Sequence, residues 1–475
     1  MRDVSGKSGG WRGRLALAVA LGLGACGASA QGVQGGALLD VLLKNGTITP
    51  AQYAQLRHQA SVSPAGSQDA LLSVLKQNGA ISATQYAQLS AQASTAPAAA
   101  PVASPSPVVA AAVLPKPKSS PDFAMKIGGR MQADAAFFDN DKTHNGNEQE
   151  MRQARIDISG KVYRDWAYML SYDFASAAVK NAYFSYGGFK DTDLIFGYYK
   201  EPFSLEYQVS GKYTEFQERS MLDDSFDPPK RIGIGVSRHV AHGTREYTAS
   251  AGVFGEAVPS DVDKHGDSGI GVAGRATYAF VHTDDRLLHV GASAEWRNPG
   301  GGEVVDLGSH PGAHLATQLI DTGPIQAVDS QLKTGVEAAG VWGPLALQGQ
   351  YTREQIRRNL GQPGLTFGGW FVQGSYFLTN DSRASTYDKG RFGGVKPNGR
   401  YGAWQLALRY DHLNLIDKDV RGGEETNAAL ALNWYINRYL RWSVDYIKVL
   451  KLDRPGTGFD GDKPGIVEAR FWLGW

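Results

Sequence analysis

The sequence predicts an all-β chain, a transmembrane antiparallel β-barrel of about 16 strands preceded by a small α-helical repeat region and a Pro/Ala-rich linker. Three observations predict it. Between residues 122 and 475, apolar and polar residues alternate with a period of two in segment after segment. Trp and Tyr gather near the segment ends, as at a membrane interface. Beyond Ala30, no stretch approaches the roughly eighteen apolar residues that a spanning helix needs, so a membrane crossing requires a closed barrel in which every backbone group is paired.

The elements follow in chain order. Residues 1–30 read as a secretory signal: Arg2, Lys7, Arg12 and Arg14, an apolar run from Leu15 to Ala25, then Ala28-Ser29-Ala30 before Gln31. A competing reading takes Leu23-Gly24-Ala25-Cys26 as a lipoprotein signal with an acylated Cys26. Residues 31–92 hold two copies of one repeat, Ala37 to Leu56 and Ala70 to Leu89. Each copy reads as two short helices. Asn45-Gly46 and Asn78-Gly79 end the first helix, while Thr49 before Pro50, and Ser82, cap the second. The pair is either a small periplasmic helical hairpin or a tether to the cell wall, a periplasmic partner or another copy. Residues 93–121 are rich in Ala, Pro and Ser and form a semi-extended linker.

The barrel, residues 122–475, begins near Phe123. Ile156 and Ile158 share one face while Arg155, Asp157, Ser159 and Lys161 share the other. Trp404, Leu406, Leu408 and Tyr410 stand against Gln405, Ala407, Arg409 and Asp411 in the same way. A soluble sandwich also alternates, but its second face does not carry ionic residues throughout. An apolar outside and a polar inside describe a water-filled barrel. Strands are expected from Lys126, Arg152, Trp166, Val179, Thr192, Arg231, Tyr247, Gly269, Arg286, Leu332, Leu345, Gly368, Tyr401, Asn427, Tyr439 and Gly465. The last ends on the aromatic carboxy terminus, Trp475.

Composition excludes other classes. Lys and Arg number 48 against 47 Asp and Glu, so no global field points to nucleic acid, and any charge selection must be local. One Cys in 475 residues leaves neither a disulfide framework nor a cysteine-ligated metal. His239/His242 and His310/His314 fall in turns or loops without a carboxylate arrangement beside them and read as solvated. Asp261, Asp263 and Asp267 resemble a calcium loop but lack its closing Glu, since Val272 stands there. No catalytic motif appears. The chain is read as a non-enzyme without cofactor or metal.

A periplasmic N-terminal region makes the first strand run outward, and each later strand alternates. Arg164-Asp165 and Asn437-Arg438 are then tight periplasmic turns. Lys200 to Lys230 is the third external loop, too long for a hairpin and able to constrict the lumen, and Asn380 to Arg400 is a periplasmic segment long enough to plug or narrow the inner mouth.

Met151 to Phe174 (MRQARIDISGKVYRDWAYMLSYDF), GYYKEPFSLE from Gly197, FQERS from Phe216, GGWFVQGSYFLT from Gly368 and GAWQLALRYDHLNL from Gly402 occur in order along Phe123 to Trp475. In this the chain resembles the phosphate-selective porin O/P family. The resemblance implies an outer-membrane homotrimer embedded in lipid and lipopolysaccharide, each barrel passing small anions such as phosphate by passive diffusion. It also implies that third-loop and lumen cations replace an ion's hydration. Lys200 and Arg219 lie within the matching motifs; Lys212 joins them from the loop, and Arg130, Arg155, Lys161, Arg231, Arg275 and Arg409 from the inferred lumen faces. The loop is nevertheless acidic overall, carrying Glu201, Glu206, Glu215, Glu218, Asp223, Asp224 and Asp227, which a phosphate filter would not want. A general or cation-preferring pore, and a barrel whose main role is anchoring, are the competing readings.

Overall fold

A computed structural model describes residues 49, 53, 76, 122–258, 268–300 and 304–475. The expected signal, nearly all of the repeat, the linker and the acidic turn at Asp261 to Asp267 lie outside the described residues.

The chain forms β1 (Phe123–Asp139), β2 (Glu148–Val162), β3 (Trp166–Asp173), β4 (Ala178–Phe189) and β5 (Thr192–Tyr199), then the short helices α1 (Leu205–Gln208) and α2 (Met221–Phe226). There follow β6 (Arg231–His242), β7 (Arg245–Phe254), β8 (Ser268–His282) and β9 (Arg286–Gly300), and the two-residue pair β10 (Gly308–Ser309) and β11 (Ile320–Asp321). Next come β12 (Val328–Trp342), β13 (Leu345–Arg358), β14 (Leu365–Phe377) and a second such pair, β15 (Tyr387–Asp388) and β16 (Arg391–Phe392). The chain ends in β17 (Ala403–Asp417), β18 (Val420–Asn437), β19 (Leu440–Asp453) and β20 (Gly465–Gly474). Sixteen of these strands close into one barrel, β1–β9, β12–β14 and β17–β20, with β20 antiparallel to β1.

Each expected strand start falls on or beside its own barrel strand. The largest displacement is at β18, expected from Asn427 and observed from Val420. Its first turns carry Gly422 and Gly423, and a bulge at Asn414/Ile416 breaks the ladder there, so the alternation that marks a strand starts late.

Side chains sort as a barrel in lipid requires. Leu406, Leu408 and Tyr410 are exposed outward on β17, while Gln405, Arg409 and Asp411 are buried inward. Trp166, Trp342, Trp404, Trp434 and Trp442 lie at strand ends beside the short turns, Trp404 stacking on Trp434 with centroids 5.1 Å apart, an aromatic girdle at one rim. The packed core lies inside the barrel: Met221, Leu222 and Phe226 of α2 pack against Phe371, Leu413 and Val449 of the wall. Water therefore has only the rest of the lumen.

Candidate functional site: a basic cavity beside an inward-folded loop

The segment between β5 and β6 enters the lumen because the wall supplies partners for its polar groups. Ser204 caps α1, accepting from Tyr207 N at 3.1 Å, and Ser220 caps α2, accepting from Asp223 N at 3.3 Å. The Glu206 carboxylate accepts from the Ser220 hydroxyl at 2.6 Å and from Arg409 at 2.8 Å, tying the loop to β17. Glu215 accepts from Gln373 and Ser375 at 2.6 Å and from Gln405 at 2.7 Å. Glu218 takes Arg152 at 3.0 Å and Arg470 at 2.7 Å. Burial alone would raise its pKa, but those two guanidiniums hold it well below the carboxylate range. Glu201 pairs with Arg231 at 2.7 Å, and Asp223 accepts from Gln350 at 2.6 Å. Five of the loop's seven acids are thus engaged by the wall, while Asp224 accepts from Ser309 and His310 at 3.0 Å and Asp227 lies 3.9 Å from the loop's own Arg219. Such buried pairs hold position more than they add stability.

The segment between β14 and β17 enters from the opposite end and meets the loop. Arg383 lies 3.3 Å from Glu215, donates to the Tyr213 carbonyl at 3.3 Å and covers the Phe392 ring. Arg275 donates to the Gly390 carbonyl at 2.8 Å, and Tyr387 OH lies 2.6 Å from His289 Nδ1. The expected narrowing of that mouth has this physical form.

What remains open is a cavity of about 840 Å³ between the loop and the wall of β1–β8. Ten basic side chains line it, Arg130, Arg155, Lys180, Lys200, Lys212, Arg219, Lys230, Arg275, Lys389 and Arg391, against two acidic ones, Asp193 and Asp388. Lys200, Lys230 and Arg130 are held without a carboxylate contact among the described residues, whereas Arg219 has one. Lys200 donates to the Tyr207 and Val209 carbonyls and lies over the Tyr207 ring. Arg219 donates to the Glu206 carbonyl at 3.3 Å and the Val209 carbonyl at 3.0 Å, with Asp227 at 3.9 Å. Lys230 donates to Asn181 Oδ1 at 3.0 Å, and Arg130 reaches only Ser210 Oγ, at 3.4 Å. Burial, then the charges of Arg219, Lys230 and Arg391, depress the Lys200 ammonium pKa far below its ordinary value. Burial, then Arg155, Arg130, Lys180 and Arg219, push Lys230 down to about 7. In both, burial acts first and the like charges facing the same space add to it, against Asp227 at Lys200.

Six of the nine residues singled out from sequence meet on this cavity: Arg130, Arg155, Lys200, Lys212, Arg219 and Arg275. Arg155 also binds Asp173 at 2.9 Å, and Arg275 binds Glu337. The other three lie elsewhere. Arg231 is bound to Glu201 and, at 3.6 Å, to Glu295. Arg409 is the loop's anchor, with its guanidinium carbon 4.2 Å from the Phe216 centroid. Lys161 is exposed near the short-turn end of β2.

Lys180, Lys230, Lys389 and Arg391 were not singled out. Alternation puts Lys180 outward with Ala182, but the register shift opposite Ser171/Tyr172 leaves it as the extra, unpaired residue between Val179 and Asn181 and turns it inward. Lys389 and Arg391 belong to an irregular segment with no period to read.

His310 and His314 lie side by side, ring centroids 6.0 Å apart, while His239 and His242 belong to strand β6 and not to the expected turn. Glu246 sits between His239 at 3.3 Å and His282 at 3.5 Å, a carboxylate contact the sequence did not suggest. His314 pairs with Glu150 at 2.8 Å and His310 lies 3.5 Å from Asp224. Among the described residues, no group of three His, Cys, Asp or Glu side chains has the geometry to hold a metal.

Comparison with known proteins points one way. A family model described as "Phosphate-selective porin O and P" matches residues 125–474. Porin O of Pseudomonas aeruginosa is 28% identical over 390 residues, 73% of this chain and 87% of that protein. An uncharacterized protein of Caulobacter vibrioides is 29% identical over 357 residues, 69% of this chain and 70% of that one. Among solved structures, an anion-selective porin from Comamonas acidovorans is similar at 9% identity and a TM-score of 0.46, over 74% of this chain and all of that one.

Proposed function

Since this chain belongs to the phosphate-selective porin O and P family, we propose that it is an outer-membrane channel for passive diffusion of small oxyanions, phosphate among them, along the basic cavity. The observation that carries this reading is the separation of charge across the loop. Ten basic side chains and two acidic ones line the open space, while loop carboxylates such as Glu206, Glu215 and Glu218 are engaged by the wall.

The physics is that of a dehydrating passage. An oxyanion leaving bulk water loses hydrogen bonds that Arg and Lys replace with charge-assisted ones. Release requires that no single site be strong, and a row of cations in series meets that need. Lys200, Arg219, Lys212, Lys230, Arg130 and Arg155 are the residues that contact the ion. Arg231 and Arg409 act by holding the loop. With the N-terminal region in the periplasm, the loop between β5 and β6 opens outward and the segment between β14 and β17 guards the inner mouth. The chain is a channel rather than an enzyme.

A homotrimer is part of the reading. β3 and β5 have eight residues each, fewer than the nine to eleven or so that a lipid-spanning strand needs. The outer face on this side carries Trp166 of β3, Phe196 of β5 and, from β4 between them, Phe184, with Phe184 and Phe196 stacked at 5.3 Å. A neighbouring protomer covers such a side better than a full bilayer thickness does.

The test is the reversal potential of purified protein in a planar bilayer under a salt gradient, with phosphate then titrated into chloride. Anion preference with block by phosphate is the expected result. Cation preference, or indifference to phosphate, would overturn the reading.

A further inference from the structure

We infer that the cavity selects oxyanions bearing an apolar, preferably aromatic, body, such as aryl phosphates and aryl carboxylates, over the bare inorganic ion. The inference rests on the anion-channel reading and narrows it. Part of the wall of the cavity that Lys200 and Lys230 line is apolar. Met169 of β3 is paired with Tyr183 of β4, and with Ile195 and Tyr199 of β5 they line the same cavity. The rings of Tyr183 and Tyr199 meet edge to face at 6.0 Å.

This wall is shaped for rings. Gly197 is paired with Tyr183 at φ +122°, and a Cβ there would lie 3.2 Å from the Tyr183 Cβ and 2.4 Å from the Ala182 carbonyl oxygen. A Cβ on Gly235 would lie 2.4 Å from the Tyr199 hydroxyl. That hydroxyl is buried against β6 and has no hydrogen-bond partner among the described residues, so Tyr199 offers the cavity its ring rather than its polar end.

Size points the same way. A cavity of about 840 Å³ falls among sites that enclose organic ligands. A bare phosphate against Lys200 and Lys230 leaves the apolar wall facing water. A ring in that position removes both apolar surfaces from water, and a lysine ammonium over a ring face adds a cation–π attraction.

The experiment uses the full-length protein in planar bilayers carrying a chloride current at about pH 5, where inorganic phosphate and phenyl phosphate are both largely monoanions and Lys230 is protonated, with either compound added as the blocker. The expected result is half-block by phenyl phosphate at a concentration about fivefold lower than by phosphate, with that ratio falling toward one in Met169→Gln and Ile195→Asn and kept in the conservative Ile195→Leu. Equal or weaker block by phenyl phosphate in the unmodified protein would overturn the inference while leaving an anion channel. So would variants that weaken both blockers alike. A cation-directed reversal potential with neither compound blocking would remove the anion-channel reading itself.

Discussion

Lys230 illustrates how one residue sets a property of the pore. Its ammonium donates to Asn181 and faces Arg155, Arg130, Lys180 and Arg219, and burial with those charges brings its pKa down to about 7. The lysine is charged below that value and neutral above it, so the cavity loses positive charge as pH rises through 7. Preference for sulfate over potassium, which do not titrate there, is expected to fall between pH 6 and pH 8, and Lys230→Gln is expected to flatten the dependence. A preference that rises with pH would contradict this assignment. At Lys200 and Arg219, replacement by Gln removes a charge-assisted donor, so phosphate block should weaken by about tenfold. Lys161→Gln, away from the cavity, should change it by less than about twofold. Concentration–block curves separate the two groups.

At the scale of elements, the loop between β5 and β6 is a wedge fixed by charge. Glu206 is buried between the Ser220 cap and Arg409. Glu206→Gln leaves the Arg409 guanidinium without its counter-charge, a loss of about 3 kcal/mol. It should appear as a lower unfolding midpoint and as current fluctuations from a loosened loop. Unchanged stability and quiet channels would mean that the loop is held otherwise. The sequence made the loop's existence legible through its length between two alternating segments. It did not disclose where the acids point, because only the wall residues Gln350, Gln373, Arg409 and Arg470, far away in the chain, decide that. The acidic excess, read as evidence against an anion filter, is what fastens the filter in place. Lys180 was lost for a different reason: one inserted residue changes side-chain parity, and nothing local announces the bulge.

Across the whole molecule, the barrel was the most legible feature, since sixteen alternating segments, with tight turns at every second connection except that between β14 and β17, repeat one physical rule. The filled half of the lumen was not, because a side chain buried under a loop and one facing water share the same parity. The height of the wall carries a further expectation. Phe184→Arg, on the side of the eight-residue strands, should dissociate the oligomer, whereas Leu408→Arg, on the fifteen-residue β17, should destabilise insertion by about 2–4 kcal/mol without changing subunit number. Mass measurement in detergent, beside urea titration in lipid, distinguishes them.

Passage of ions through the basic cavity, and not through the half of the lumen packed behind the loop, can be tested at single residues. The chain's single cysteine, Cys26, makes a direct measurement available once it is replaced. Cysteine is introduced at Ser250, on the cavity wall, and separately at Ser443, buried under the loop. Anionic and cationic thiosulfonate reagents are then compared for their rates of current block. The account predicts fast block at Ser250→Cys, faster for the anionic reagent, and none at Ser443→Cys. Equal rates for the two reagents at Ser250→Cys, or block at Ser443→Cys, would contradict it.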